Sequence, residues 1–224
     1  MEEKIPIGCS IDDILGGGVE PRIITQIYGP AGVGKTNICL QLLVNCIKLG
    51  KKAVLIDTEA GSSLDRLKQI AKESFEEVIK KTNIYEPLTF EEQNFIIENL
   101  KHVVNKDYGL IIVDCIVSLY RVEMEDEKAI KLNRMLSKQL ARLSELARKH
   151  DLAVIITNQV YSPLEQAEVE PIGGSILKYW SKTILELKRI NHLREAILKR
   201  HRSLPEELKA KFIITERGVE DARA

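Results

Sequence analysis

The sequence predicts an α/β domain: a mostly parallel central sheet with helices on both faces and an antiparallel extension at its C-terminal end. Three observations predict it. Apolar runs alternate with helix-like segments, the order that builds a parallel sheet. The runs Ala53–Ile56, Leu110–Val113 and Leu152–Ile156 are continuously apolar, as strands buried on both faces are. The C-terminal part instead reads as short alternating strands, Thr183–Arg189, Glu195–Arg200 and Ala210–Thr215, with a turn at Ile190-Asn191-His192.

The elements follow in order. Ser10 is positioned to cap a short turn, Ile11–Leu15, which Gly16-Gly17-Gly18 ends because successive glycines do not continue a helix. Ile23–Tyr28 reads as the first strand, and Ile38–Lys48 as a helix with Ile38, Leu42 and Ile47 on its apolar side. Gly50 is a C-cap signal before the strand ending in Asp57. Ser63 caps a helix running to about Glu73. Thr89-Phe90-Glu91-Glu92 matches a capping box before a helix to about Asn105, with Phe95, Ile96, Leu100, Val103 and Val104 as its stripe. A helix from about Glu127 to Lys149 has Ile130, Leu136, Leu140, Leu143 and Ala147 as its stripe. The loop 160–172 closes on Gly173-Gly174, and a short helix, Ser175–Trp180, follows.

At 224 residues, with no linker or repeat, the chain reads as one domain spanning residues 1–224. Lys plus Arg and Asp plus Glu are both 33, so net charge predicts no polyanionic partner, and any nucleic-acid site must come from local clustering. Cys9, Cys39, Cys46 and Cys115 form no C-x-x-C pair and read as apolar fillers in a reducing compartment. There is no signal-peptide pattern and no bilayer-length apolar run, so the expectation is a cytoplasmic protein without membrane contact.

One motif carries chemistry. Gly29-Pro30-Ala31-Gly32-Val33-Gly34-Lys35-Thr36 lies between a strand and a helix, which is the P-loop arrangement. Its glycines let the main chain approach an anion, and the freed N–H groups and helix N-terminus cradle phosphates. Lys35 then reaches β- and γ-phosphate oxygens, and the Thr36 hydroxyl binds Mg²⁺. Asp114 ends an apolar strand and is expected as the second Mg²⁺ residue, a turn-capping role being the plain alternative. Glu59, two residues past Asp57, suits the activation of a water; otherwise it caps a helix. Gln159, at a later strand end, suits sensing of the γ-phosphate; otherwise it bonds a backbone group.

Taken together, Leu15–Glu20, the P-loop, Asp57-Thr58-Glu59, Leu110–Asp114, Thr157–Val160, Gly173-Gly174 and the end Phe212–Asp221 resemble, in this order, the ATPase core of the RecA/RadA recombinases, most of all their short archaeal members. The resemblance covers nearly the whole chain. It implies a RecA-type P-loop core that binds ATP and Mg²⁺, with Lys35, Glu59 and Gln159 as catalytic residues. Gly29 to Thr36 would bind nucleotide, and Thr36 and Asp114 the metal. Arg66 matches the arginine that stacks on adenine, and Ser203–Glu206 resembles a cap laid over the nucleotide of a neighbouring subunit, which implies a homo-oligomer. The chain also departs from the family. It reads as starting at the core, without the helical domain and Phe-x-x-Ala linker of the recombinases. Ala60-Gly61-Ser62 replaces their Gly-Thr-Phe after the glutamate. The loops that grip single strands in the recombinases are acidic here: Tyr120-Arg121 leads into Glu123, Glu125, Asp126 and Glu127, and the second loop carries Glu165, Glu168 and Glu170.

Positive charge gathers instead at Lys178, Lys182, Lys188, Arg189, His192, Arg194, Lys199, Arg200, His201 and Arg202. On a twisted hairpin several would share a face and track a phosphate backbone, with Tyr179 and Trp180 beside them to stack on bases. Lys188, Arg189, Arg194, Lys199, Arg200, Arg202 and Arg121 are the expected DNA contacts; a solvated edge hairpin is the plain alternative. The expected function is an ATP-binding, DNA-binding protein of recombination and repair, accessory to the main recombinase, with slow ATP hydrolysis and little strand exchange. The alternative is a non-enzymatic adaptor docking on the recombinase or on a junction nuclease. A small-molecule kinase would need an acceptor pocket and an Arg-rich lid, and no lid-like insertion is present.

Overall fold

The computed structural model describes residues 3–59, 63–160 and 174–222. Among these residues nine strands form one sheet in the order β3-β2-β4-β5-β1-β6-β7-β8-β9. Its parallel part is β1 (Ile24–Gly29), β2 (Lys52–Asp57), β3 (Thr82–Tyr85), β4 (Tyr108–Asp114), β5 (Ala153–Gln159) and β6 (Ser181–Ile190). The antiparallel extension is β7 (Leu193–Arg200), β8 (Lys209–Thr215) and β9 (Gly218–Asp221). The strand β6 therefore belongs to both parts, parallel to β1 on one side and antiparallel to β7 on the other.

Side chains alternate across this sheet, so each buried strand feeds two cores. Ala53, Leu55, Leu110, Ile112 and Ile155 face one core, together with α1 (Ile11–Ile14), α2 (Lys35–Lys48), α3 (Ser63–Ala71) and α4 (Phe75–Lys80). Val54, Ile56, Ile111, Val113 and Ile156 face the other, with α5 (Phe90–Asn99), α6 (Ser118–Val122), α7 (Ala129–His150) and α8 (Gly174–Trp180). Burial on both faces is why these strands read as unbroken apolar runs. All four cysteines are buried and free, as fillers should be.

The helix stripes need correction. In α5 the buried positions are Phe90, Gln93 and Ile97, while Phe95 is 69% exposed. In α7 they begin at Leu132, and Ile130 is 78% exposed. Both stripes are out of phase with the buried face: Phe95, midway along α5, stands between the buried Gln93 and Ile97, and Ile130, in the first turn of α7, precedes the buried Leu132. The capping box holds, with Glu92 N–H donating to Thr89 Oγ1 at 3.1 Å, but the Glu92 carboxylate returns to Leu88 N at 2.7 Å. Ser10 makes no side-chain cap bond. The elements α4, β3, α6 and β9 went unanticipated. Each is four to six residues long, too short for periodicity to register.

Candidate functional site

The strand ends place the predicted residues at one edge. In register, Asp57 of β2 lies beside Asp114 of β4, and Gly29 of β1 beside Gln159 of β5. All four sit at the C-terminal edge of the parallel strands, where open α/β sheets take ligands. Thr58 secures the turn after β4: its hydroxyl donates to Cys115 O at 2.8 Å and accepts from Cys115 N at 2.9 Å.

The loop from Gly29 to Lys35 needs its glycines. A Cβ at Gly29 would lie 2.4 Å from Leu187 O on β6. Gly34, at φ 116°, occupies the left-handed region just before α2, where other residues are strained. The Lys35 ammonium donates to Gly29 O and Pro30 O, both at 2.9 Å, folded back across its own loop. It is buried, and burial pulls its pKa down, while Asp114, Glu59 and two buried thiols act in the other direction.

Asp114 is likewise buried. Burial raises its pKa, opposed by hydrogen bonds from Thr157 and from Thr36. The Thr157 hydroxyl donates to Asp114 Oδ1. Thr36 and Asp114 are thus in contact, a hydroxyl and a carboxylate joined at the phosphate end of α2. A lysine bonded to two carbonyl oxygens and a carboxylate held by two hydroxyls are donors and acceptors that a magnesium–triphosphate would engage. Glu59 and Gln159 meet directly, Gln159 Nε2 donating to Glu59 Oε1. Burial raises the Glu59 pKa first, and the Asp114 charge adds to it. Residues 60–62 and 161–173, which carry the altered segment after Glu59 and the acidic second loop, lie outside the described residues.

Arg66 of α3 reaches the same edge from the far side of α2. Its Nε donates to Asn37 Oδ1 at 2.7 Å, and its Nη atoms donate to Gln69 Oε1 at 2.8 Å and to Thr215 O at 2.5 Å. The arginine plane therefore ties α2, one residue past Thr36, to the end of β8. The segment Ser203–Glu206 sits at the opposite edge of the sheet. Arg200 of β7 pairs with Ile184 near the start of β6, the end where β1 also begins. There the buried Glu20 carboxylate lies 3.0 Å from Arg202 Nε and 3.3 Å from Lys4 Nζ.

This topology splits the basic cluster between the two ends of the β6–β7 hairpin. Arg189 and Arg194 stand opposite each other near the β6–β7 turn, at the P-loop edge. Lys199, Arg200 and Arg202 lie at the other end, Lys199 being five residues from Arg194, roughly 17 Å of strand at about 3.3 Å per residue. Most of the cluster is also engaged within the chain. Lys188 pairs with Glu186 at 3.3 Å, Lys199 with Glu207 at 2.5 Å and Arg202 with Glu20, and Arg200 donates to Lys178 O at 2.5 Å. Tyr179 is 70% exposed, whereas Trp180 packs against the second core with its Nε1 3.4 Å from Ser137 Oγ. Arg121 lies in α6, beside the buried Tyr120.

Sequence reasoning missed a buried amide pair under the site. Gln93 Nε2 donates to Ile116 O at 3.0 Å and to Gln139 Oε1 at 2.8 Å, fixing the chain two residues after Asp114. The available signal was Gln139 standing in phase with Leu132, Leu136 and Leu143 on an otherwise apolar face.

Comparisons with known proteins show which family the chain belongs to. The sequence pattern of the Rad51 family matches residues 4–222. The chain is 46% identical over 222 residues to the DNA repair and recombination protein RadB of Methanococcoides burtonii, covering 98% of each chain. It is also 46% identical over 212 residues to the protein of that name from Methanocaldococcus jannaschii, covering 94% of this chain and 98% of the relative. The crystal structure of the RadB recombinase superposes with a TM-score of 0.84 at 38% identity, over 98% of this chain and 100% of that one. By fold and by sequence along nearly its whole length, the chain belongs to the Rad51 family.

Proposed function

We propose that this protein binds ATP with Mg²⁺ and DNA, and serves recombination and repair as an accessory to a main recombinase, turning ATP over slowly. The observation that carries the reading is the meeting of Lys35, Thr36, Asp114, Glu59 and Gln159 at one strand edge. On this reading Lys35 leaves the Gly29 and Pro30 carbonyls for the β- and γ-phosphates, and Thr36 and Asp114 hold the metal, which supplies charge neutralisation on the phosphate oxygens. Magnesium commonly takes few protein ligands and completes its shell with phosphate and water. Glu59 orients the attacking water. Gln159 exchanges its bond to Glu59 for one to the γ-phosphate or that water, and passes the change to the loop it begins. The related proteins' name, DNA repair and recombination protein RadB, supports the setting.

DNA contact on this reading falls to Arg189 and Arg194, whose like charges face each other across two strands and are relieved by a phosphate between them. The decisive test is ATP hydrolysis by wild type and Lys35→Ala, with and without single-stranded DNA. Turnover that disappears in the variant supports an enzyme. Equal rates in both leave ATP a conformational ligand and favour the adaptor.

A further inference from the structure

We propose that the cleft beside Gln159 is a docking site for a protein, one apolar side chain of a basic segment entering it. The cleft has a volume of about 270 Å³ and is lined by Cys115, Val117, Ser118, Arg121, Val122 and Gln159. One wall is the turn after β4 together with α6; the other is the tip of β5. Exposed apolar residues follow along the chain: Val122, at the end of α6, is 83% exposed, Met124, in the connection to α7, 37%, and Ile130, in the first turn of α7, 78%. Exposed apolar residues gathered in a short stretch of chain are candidates for an interaction surface.

The charge around them selects the partner. Glu123, Glu125, Asp126 and Glu127 lie in the same stretch, against Arg121 and Lys128. Lys128 is already held by Glu125 at 2.8 Å, and Glu123 accepts from Phe90 N at 2.8 Å. This balance repels a phosphodiester chain and attracts lysines or arginines flanking an apolar anchor, the arrangement in which one buried side chain dominates an interface. Gln159 lines the cleft and donates to Glu59, so a side chain entering there acts on the nucleotide edge as well. The inference rests on the accessory reading above and gives that accessory the surface on which its protein partner sits.

The test uses the full chain and a fluorescein-labelled amphipathic Leu/Lys peptide as probe, read by anisotropy, with a Leu/Glu peptide as control. The Leu/Lys peptide is expected to bind and the Leu/Glu peptide not to. The double substitution Val122→Ser with Met124→Ser, both at exposed positions, should weaken peptide binding about tenfold or more, equivalent to about 1.4 kcal/mol. An oligothymidylate should not displace the peptide. ATP·Mg and the peptide should change each other's affinity by the same factor. Equal peptide affinity in wild type and double variant, or displacement by oligothymidylate, overturns the proposal. ATP binding in the same samples reports separately on the nucleotide site, so failure of one reading is distinguishable from failure of the other.

Discussion

Gln159 donates from Nε2 to the Glu59 carboxylate, joining the tips of β5 and β2 across β4, the strand between them. Burial and the nearby Asp114 charge raise the Glu59 pKa, while Lys35 and Gln159 oppose the rise. A carboxyl with a raised folded-state pKa binds its proton more readily in the folded protein than in the unfolded one. Keeping it ionised at neutral pH therefore works against the fold, and this opposition lessens as pH falls through the raised pKa. Glu59→Gln removes the charge and keeps an oxygen for Gln159 to bond. The expected outcome is a nucleotide-free melting temperature no lower than wild type, with ATP hydrolysis reduced about 10²-fold or more. Calorimetry and a phosphate-release assay on the same preparations check it; a clearly lower melting temperature would contradict the electrostatic account.

The amide pair beneath the site makes a stability prediction. Gln93→Leu strands both Ile116 O and Gln139 Oε1, and Gln139→Leu strands one donor of Gln93. An unmade buried hydrogen bond costs about 1–3 kcal/mol, so each variant should melt several degrees below wild type, by about 2–4 °C per kcal/mol for a chain of this size. The double variant should cost less than the sum of the singles, because both amides of the pair are then gone. Strict additivity in thermal or urea melts would show that the pair does not act as a unit.

Much of this architecture was legible because its signals are redundant. The P-loop sequence, the Asp114 strand end and the Asp57-Thr58-Glu59 turn each specify the same edge, and the continuous apolar runs specify strands buried twice. What stayed hidden was relational. Nothing in the spacing of Arg189, Arg194, Lys199 and Arg202 reveals that the β6–β7 hairpin sets the first two and the last two at its opposite ends. The partners Glu20 and Glu207 lie far off in sequence or beyond the strand, so charges counted as available for DNA were already engaged. The phase errors at Phe95 and Ile130 have a related cause: apolar residues also stand off the buried face, Phe95 midway along α5 and Ile130 in the first turn of α7, and only tertiary packing fixes which face is covered.

His201 gives the far edge a pH dependence. Its Nδ1 accepts from Ser203 N at 3.1 Å and Leu204 N at 3.2 Å, so the ring must stay unprotonated on that nitrogen. Burial lowers its pKa; Glu20 opposes the shift, and Lys4 and Arg202 add to it. With the folded pKa below the unfolded one, the unfolded chain takes up the proton first, so stability falls as pH drops below about 6.5. His201→Asn keeps an acceptor for the two amides and removes the titration. Its melting temperature should change less than that of wild type between pH 7.5 and 5, in melts recorded at constant ionic strength, roughly 0.1 M. Parallel pH curves for the two proteins would remove His201 from the account.

The split basic cluster separates binding from folding. Arg189→Glu with Arg194→Glu reverses charge at the P-loop edge, where the two guanidinium groups face each other. DNA affinity should fall steeply, and the slope of log affinity against log salt should shrink by about 2, close to 0.9 for each lost phosphate contact. Lys199→Glu with Arg202→Glu acts at the other edge, where Arg202 neutralises the buried Glu20. That variant should keep most of its salt slope but melt lower, because a buried carboxylate loses its nearest cation and gains a like charge. Fluorescence anisotropy across salt and thermal melts on both variants decide the matter. If the second variant lost the salt slope and the first kept it, the phosphate contact would belong to the edge beside Glu20, and the opposed arginines would need another explanation.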